Sequence, residues 1–328
     1  MGRVAVPWPA GLSPASPGFV RRILGRVFLS TFLFGALAHA QGIEGVDLNG
    51  ISRPIAPSPF YALRGFGVED AHFIGLGGRL SSVHQPLVAS VPSPAPEGYQ
   101  SALVNGAILT ELAFAVGLGA GFDAGLALGV HLYQWGPGVG PLTGGQTGVE
   151  SFGAIDPKVE VGLAISEGKV HVRPFAALTL PWGTARAFAG ENKVGVEGGA
   201  SVGGYSDLLI WAAEVALLYR PPVEFSATTW GSQLRFGAAL HILLTEDVAL
   251  GPELSVNPVL ARQQGDTDFL MPAEILATCT LKLQRFKLKA ALGTGLPLSH
   301  RKQNDAGVWF RGPTSPLLRL GFDASTQF

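Results

Sequence analysis

Residues 72–328 fall into about a dozen segments in which apolar and polar side chains alternate. A period of two marks a strand whose faces meet different surroundings. In the last segment Leu318, Leu320, Phe322, Ala324, Thr326 and Phe328 share one face. Arg319, Gly321, Asp323, Ser325 and Gln327 share the other. The alternation predicts strands over 72–83, 103–118, 123–135, 155–166, 169–182, 193–204, 208–220, 233–245, 247–261, 269–284, 286–297 and 315–328. In the second of these Val104, Ile108, Leu112, Phe114, Val116 and Leu118 read as the apolar face.

The connections alternate in length. Short turns fall near Gly119–Phe122, Glu167-Gly168, Tyr205–Asp207, Glu246 and Arg285, and long ones cover 84–102, 136–154, 183–192, 221–232, 262–268 and 298–314. A meander across a bilayer gives this pattern, with brief turns on one side and long loops on the other. Composition agrees. Mean hydropathy is +0.31 with only 14% charged residues, yet the mature chain has no charge-free apolar run long enough for a membrane helix. The apolar content is spread over every second residue, and 45 Gly with 24 Pro disfavour long helices. The fold expected is an all-β, transmembrane, antiparallel up-and-down barrel of about 12 strands, with 10 or 14 also compatible. Closure leaves no unpaired sheet edge in lipid. Ending on Phe328 is how bacterial outer-membrane barrels commonly end, and their assembly machinery reads that strand.

Upstream, Arg21, Arg22 and Arg26 precede the apolar run Val27 to Leu37, and Ala38-His39-Ala40 precedes Gln41. This order reads as a secretory signal peptide cleaved near Ala40/Gln41. The domains expected are a leader and signal at 1–40, a mature N-terminal periplasmic segment or plug at 41–71, and the barrel at 72–328 in the bacterial outer membrane.

Aromatic residues mark two rims. Tyr133, Trp135, Trp182 and Tyr219 fall at the outer one, and Trp211 and Phe328 near the inner. Strict alternation places Tyr133 and Trp135 on the lumen face with His131, so a bulge or the strand's end has to turn them outward. Charges at strand centres belong inside. The pore-lining candidates are Glu111, Glu160, Arg173, Arg235, Glu253 and Lys289. Their small neighbours, among them Gly125, Gly203 and Gly237, leave space, and 41–70 could fold into it.

Other chemistries find little support. A formal net charge of −1 gives no electrostatic case for nucleic acid. The lone Cys279 forms no internal disulfide and no Cys-based motif. Ser299-His300 is the one adjacent pair for a surface lipid hydrolase, and strand neighbours point to opposite faces. His131, His171 and His241 lie on separate strands and read as polar lumen residues. No phosphate loop is present. The expectation is no enzyme, no cofactor and no metal.

The run Phe122 to Gln134, the motif LPWG at Leu180–Gly183, and Gly153–Lys158 with its acid at Asp156 resemble the glycine-rich strands, the Leu-Pro-Thr-Gly and the Gly-Asp with a following Lys of OmpA-family barrels. Outer-membrane transporters linked to phenol-degradation pathways share this style. The resemblance covers 70–328 without the family's C-terminal peptidoglycan-binding domain. It implies an outer-membrane barrel touching lipid and lipopolysaccharide, read by the barrel-assembly machinery through Phe328. The function expected is passive or gated passage of small hydrophilic solutes. The alternative is a sealed structural or adhesive barrel working through its outer loops.

Overall fold

The computed structural model describes residues 51, 54–66, 72–91, 99–138, 148–191, 193–225, 228–261, 270–299, 309–310 and 315–328. The expected signal peptide lies outside them. Twelve strands close into an antiparallel barrel: His72–Val91, Tyr99–Gly119, Phe122–Trp135, Gly153–Leu163, Val170–Thr179, Gly195–Tyr205, Leu209–Tyr219, Gln233–Leu243, Val248–Val256, Ala273–Leu283, Phe286–Gly295 and Leu318–Gln327. Each pairs with the next. The first pairs with the twelfth from Gly75↔Gln327 to His84↔Leu318, which closes the ring. Short pieces extend it: Ile165–Glu167 prolongs the fourth strand, and Trp309–Phe310 pairs with the far end of the first.

The strand positions follow the alternation, because lipid contact on one face and lumen contact on the other give every second residue a different solvent. In the fifth strand Val170, Val172 and Ala176 face out, while His171, Arg173 and Phe175 are buried. The exterior exposes Leu112, Leu126, Val161, Val215, Leu240, Leu292 and Phe322. The interior buries Arg79, Glu160, Arg173, Glu197, Glu253 and Arg319. This inverted polarity suits a bilayer and not water.

Three places depart from the expected pattern. The first two strands run 20 and 21 residues, so most of 84–102 is a hairpin and not a loop. Pairing restarts after register shifts between His84 and Val88, where Gln85 takes a φ of 48°. Past this point the phase changes. Val104 is buried in a cluster with Leu87, Leu103, Phe188, Val223, Trp230, Val259 and Leu270 and does not face lipid. The connection 221–232 holds a hairpin, Val223–Phe225 with Thr228–Trp230. In the third strand Ile108 pairs with Tyr133 and Leu109 with His131, so Leu132 is an extra residue. The bulge leaves His131 buried and turns Tyr133 and Trp135 outward, where their rings stack 5.7 Å apart.

The five short connections fall at one end, with the start of the first strand and Phe328, whose N–H and carbonyl pair with Ile74. The long ones fall at the other end.

Candidate functional site

The candidate site is the lumen, and residues 54–66 lie in it against the inward faces of strands from all round the ring. Irregular backbone can be buried there only if its polar groups are satisfied. Pro54, Pro57 and Pro59 remove three N–H donors from the problem. The Phe60 N–H donates to Ser58 Oγ at 3.0 Å. The Tyr61 and Ala62 N–H groups donate to the two carboxylate oxygens of Glu253 at 2.8 and 2.6 Å. The Arg64 N–H donates to Glu214 at 3.0 Å. The wall also donates. Thr280 Oγ1 reaches the Pro59 carbonyl at 3.0 Å, Ser201 Oγ reaches that of Gly65 at 3.1 Å, and the Arg79 guanidinium reaches that of Tyr61.

Side chains of the segment fit where the wall has glycine. A Cβ at Gly321 would overlap the Tyr61 phenol, at Gly203 the Phe66 ring, at Gly125 Ile55, and at Gly237 would press on Leu63 at 3.0 Å. The space beside these four glycines is therefore filled. The Tyr61 hydroxyl meets Ser81 Oγ at 2.7 Å. The Phe66 ring stacks on His171 at 5.0 Å, and His171 stacks in turn on Tyr205.

Arg64 is the main electrostatic anchor. Its guanidinium contacts Glu160 at 2.8 Å, Glu214 at 2.5 Å and Glu197 at 3.1 Å, with the Phe175 ring 4.0 Å away. Burial acts to lower its pKa, but the three carboxylates outweigh this and hold it well above the ordinary value. The surrounding wall balances. Arg64, Lys158, Arg173 and Arg235 are four cations, and Asp123, Glu160, Glu197 and Glu214 are four anions, in one connected set of ion pairs.

Each of the six expected pore-lining residues points inward and sits in a polar contact. Glu160 and Arg173 pair at 3.1 Å, with Arg173 also gripping both oxygens of Asp123. Arg235 reaches Glu197 at 3.3 Å. Glu253 accepts from the segment, from Thr278 Oγ1 at 3.0 Å, and lies 3.2 Å from His241. Lys289, Asp323, Arg79 and Glu111 lie side by side in register across four strands, with closest approaches of 3.4, 3.8 and 3.8 Å. Arg173 is only 1% exposed, so it is held by its partners and not by water. The aromatic set Tyr133, Trp135, Trp182, Trp211, Tyr219 and Phe328 is exposed on the exterior. The three histidines stay apart: His131 meets Gln134, His171 meets Ser166, and His241 meets Thr278.

The sequence reading missed the segment's contacts, and it missed how two motifs meet at the long-loop end. Asp156 accepts N–H bonds from Gly183, the last residue of LPWG, at 2.6 Å and from Glu191 at 2.9 Å. The loop between folds inward. Ala187 and Ala189 are buried, Ala187 lies against Gly153, and Gln134 donates to the Ala187 carbonyl at 2.5 Å. A cavity of about 90 Å³ lies between this loop and the Glu197 ion pairs.

No family model matches the chain, and no curated protein does. Solved structures do. The COG4313 outer membrane channel from Pseudomonas putida F1 aligns over 80% of this chain and 97% of its own, at 13% identity and a TM-score of 0.56. The NanC porin covers 78% of this chain and 98% of its own at 10% identity, and the KdgM porin in complex with disordered oligogalacturonate covers 78% and 99% at 8%. Their TM-scores are 0.46 and 0.44. The likeness to the first is one of fold: this chain is built as an outer-membrane β-barrel.

Proposed function

We propose that this protein is a gated outer-membrane channel for small hydrophilic solutes, closed by residues 54–66. One observation carries the reading. The mass that fills the lumen is a separate segment held by hydrogen bonds and ion pairs, whereas the wall beside it is glycine, small residues and paired charges. A barrel sealed for structure alone could be filled from its own wall, as small barrels are. A wall shaped around a removable segment leaves a polar passage when the segment moves. On this reading the lumen residues set potential and do no bond chemistry.

The long loops then face outward, and Phe328 sits at the periplasmic rim, where the barrel-assembly machinery would engage the last strand. The outer aromatic rim lies against lipopolysaccharide, and a signal peptide ending near Ala40 delivers the chain. OmpA-family kinship enters this reading only as barrel style. A second reading, a sealed or adhesive barrel, is favoured by the apolar cluster of Leu103, Phe188, Trp230 and Leu270 at the long-loop end.

The test is Arg64→Gln in planar bilayers, after a heat-shift gel shows a folded barrel. A channel latched by Arg64 opens more often in the variant than in the parent. A folded variant as silent as its parent favours the sealed barrel.

A further inference from the structure

At the short-turn end the tenth and eleventh strands carry cations that the lumen does not answer. Lys282 stands directly opposite Lys287 in the ladder, and like charges so placed repel. The other neighbour of Lys287 is Ser325, which brings no charge. Arg285 lies in the connecting turn, beside Gln284 at a φ of 52°. Among the described residues, the side chains of Lys282, Arg285 and Lys287 have no ion-pair or hydrogen-bond partner. The inward arginines contrast with them: Arg64, Arg79, Arg173, Arg235 and Arg319 each meet a carboxylate. Arg285 and Lys287, with the paired Lys289 and Asp323, border a cleft of about 30 Å³ below Pro54–Ser58, more than the roughly 10–15 Å³ that one water requires. Lys282 stands beside it, across the ladder from Lys287. The Thr326 hydroxyl, on the same cleft, is buried without a partner.

We propose that this cleft is a binding site for a phosphate group, held by Arg285 and Lys287 with a hydroxyl donor from Ser325 or Thr326, and with Lys282 adding its charge from across the ladder. A bound phosphate turns the repulsion of the opposed lysines into charge-assisted hydrogen bonds. Lysine suits this role as a compact charge with three donors. The group comes either from a free anion or from an inner-leaflet phospholipid, since Phe286 next to Arg285 is exposed on the exterior. The site belongs to the closed barrel, with Pro54–Ser58 as one wall.

The test titrates the full mature chain, in zwitterionic detergent at constant ionic strength, with inorganic phosphate in a calorimeter. Saturable binding is expected, weakened at least about tenfold by Lys287→Gln and unchanged by Lys169→Gln in another short turn. A heat-shift gel confirms that both variants fold. The second probe is melting in nanodiscs of phosphatidylglycerol against phosphatidylcholine. Phosphate binding lost in Lys287→Gln assigns the site to free anions. A phosphatidylglycerol-specific rise in melting temperature, lost in the same variant, assigns it to lipid headgroups. No response to either probe, or equal responses from parent and Lys287→Gln, overturns the site.

Discussion

Arg64 shows how one side chain ties the lumen together. It closes a balanced set of four cations and four anions, so its loss leaves Glu214 without the only cation that contacts it among the described residues. Removing one member of a buried ion pair typically costs about 3–5 kcal/mol. In the gated channel proposed above the segment leaves and water enters, so the cost should appear as release and not as unfolding. Gly321 gives a separate check. Gly321→Val places carbon where the Tyr61 phenol sits while the strand keeps its ladder. The variant should stay heat-modifiable, and its proteoliposomes should swell faster in small sugars. Swelling at the parent's rate would mean that the phenol does not block passage. The register of residue types was legible in the sequence here, because Arg319, Asp323 and Glu253 alternate with apolar residues. What sits against the glycines was not legible, since a glycine looks the same beside an empty lumen and beside a tyrosine.

Among elements, those set by the period of two were legible and those set by irregular backbone were not. All twelve barrel strands overlap the twelve alternating segments, because each face keeps one solvent along the whole strand. The bulge at Leu132 shifts that phase by one residue. Its trace in the sequence is the pair of rim aromatics that fell on the wrong face. Deleting Leu132 should remove the bulge, put Tyr133 directly after the inward His131, and so keep Tyr133 and Trp135 outside in a barrel that still shifts on heating gels. A deletion that no longer folds would place the extra residue elsewhere. Segment 54–66 has three prolines and no period, so nothing local marks it as a lumen element. The loop after LPWG is similar, since its fold depends on Asp156, which lies 27 residues from Gly183. Asp156→Ala removes two hydrogen bonds to a charged acceptor, each worth about 1.5–3 kcal/mol. The Gly183 and Glu191 amides should then exchange with solvent at least about tenfold faster. Unchanged exchange would show that the loop is held by its apolar contacts.

For the whole molecule, closure explains why the chain tolerates so many apolar residues on its exterior. The ring pairs its strand backbones, lipid takes the outer face, and the charges pair inside. The lumen then needs a filler that meets its polar groups, and residues 54–66 supply one with the hydrogen bonds to Glu253, Glu214, Thr280 and Ser201. If the barrel is a gated channel, this filler can be removed while the wall stays folded. The direct measurement is single-channel conductance of the mature chain against the same chain lacking residues 51–66, both shown by heat-shift gel to be folded barrels. A channel closed by this segment gives closed or rarely opening traces for the intact chain and steady, larger steps for the deletion. A folded deletion that conducts no more than its parent would contradict it and leave a barrel that is sealed by its wall and its long loops.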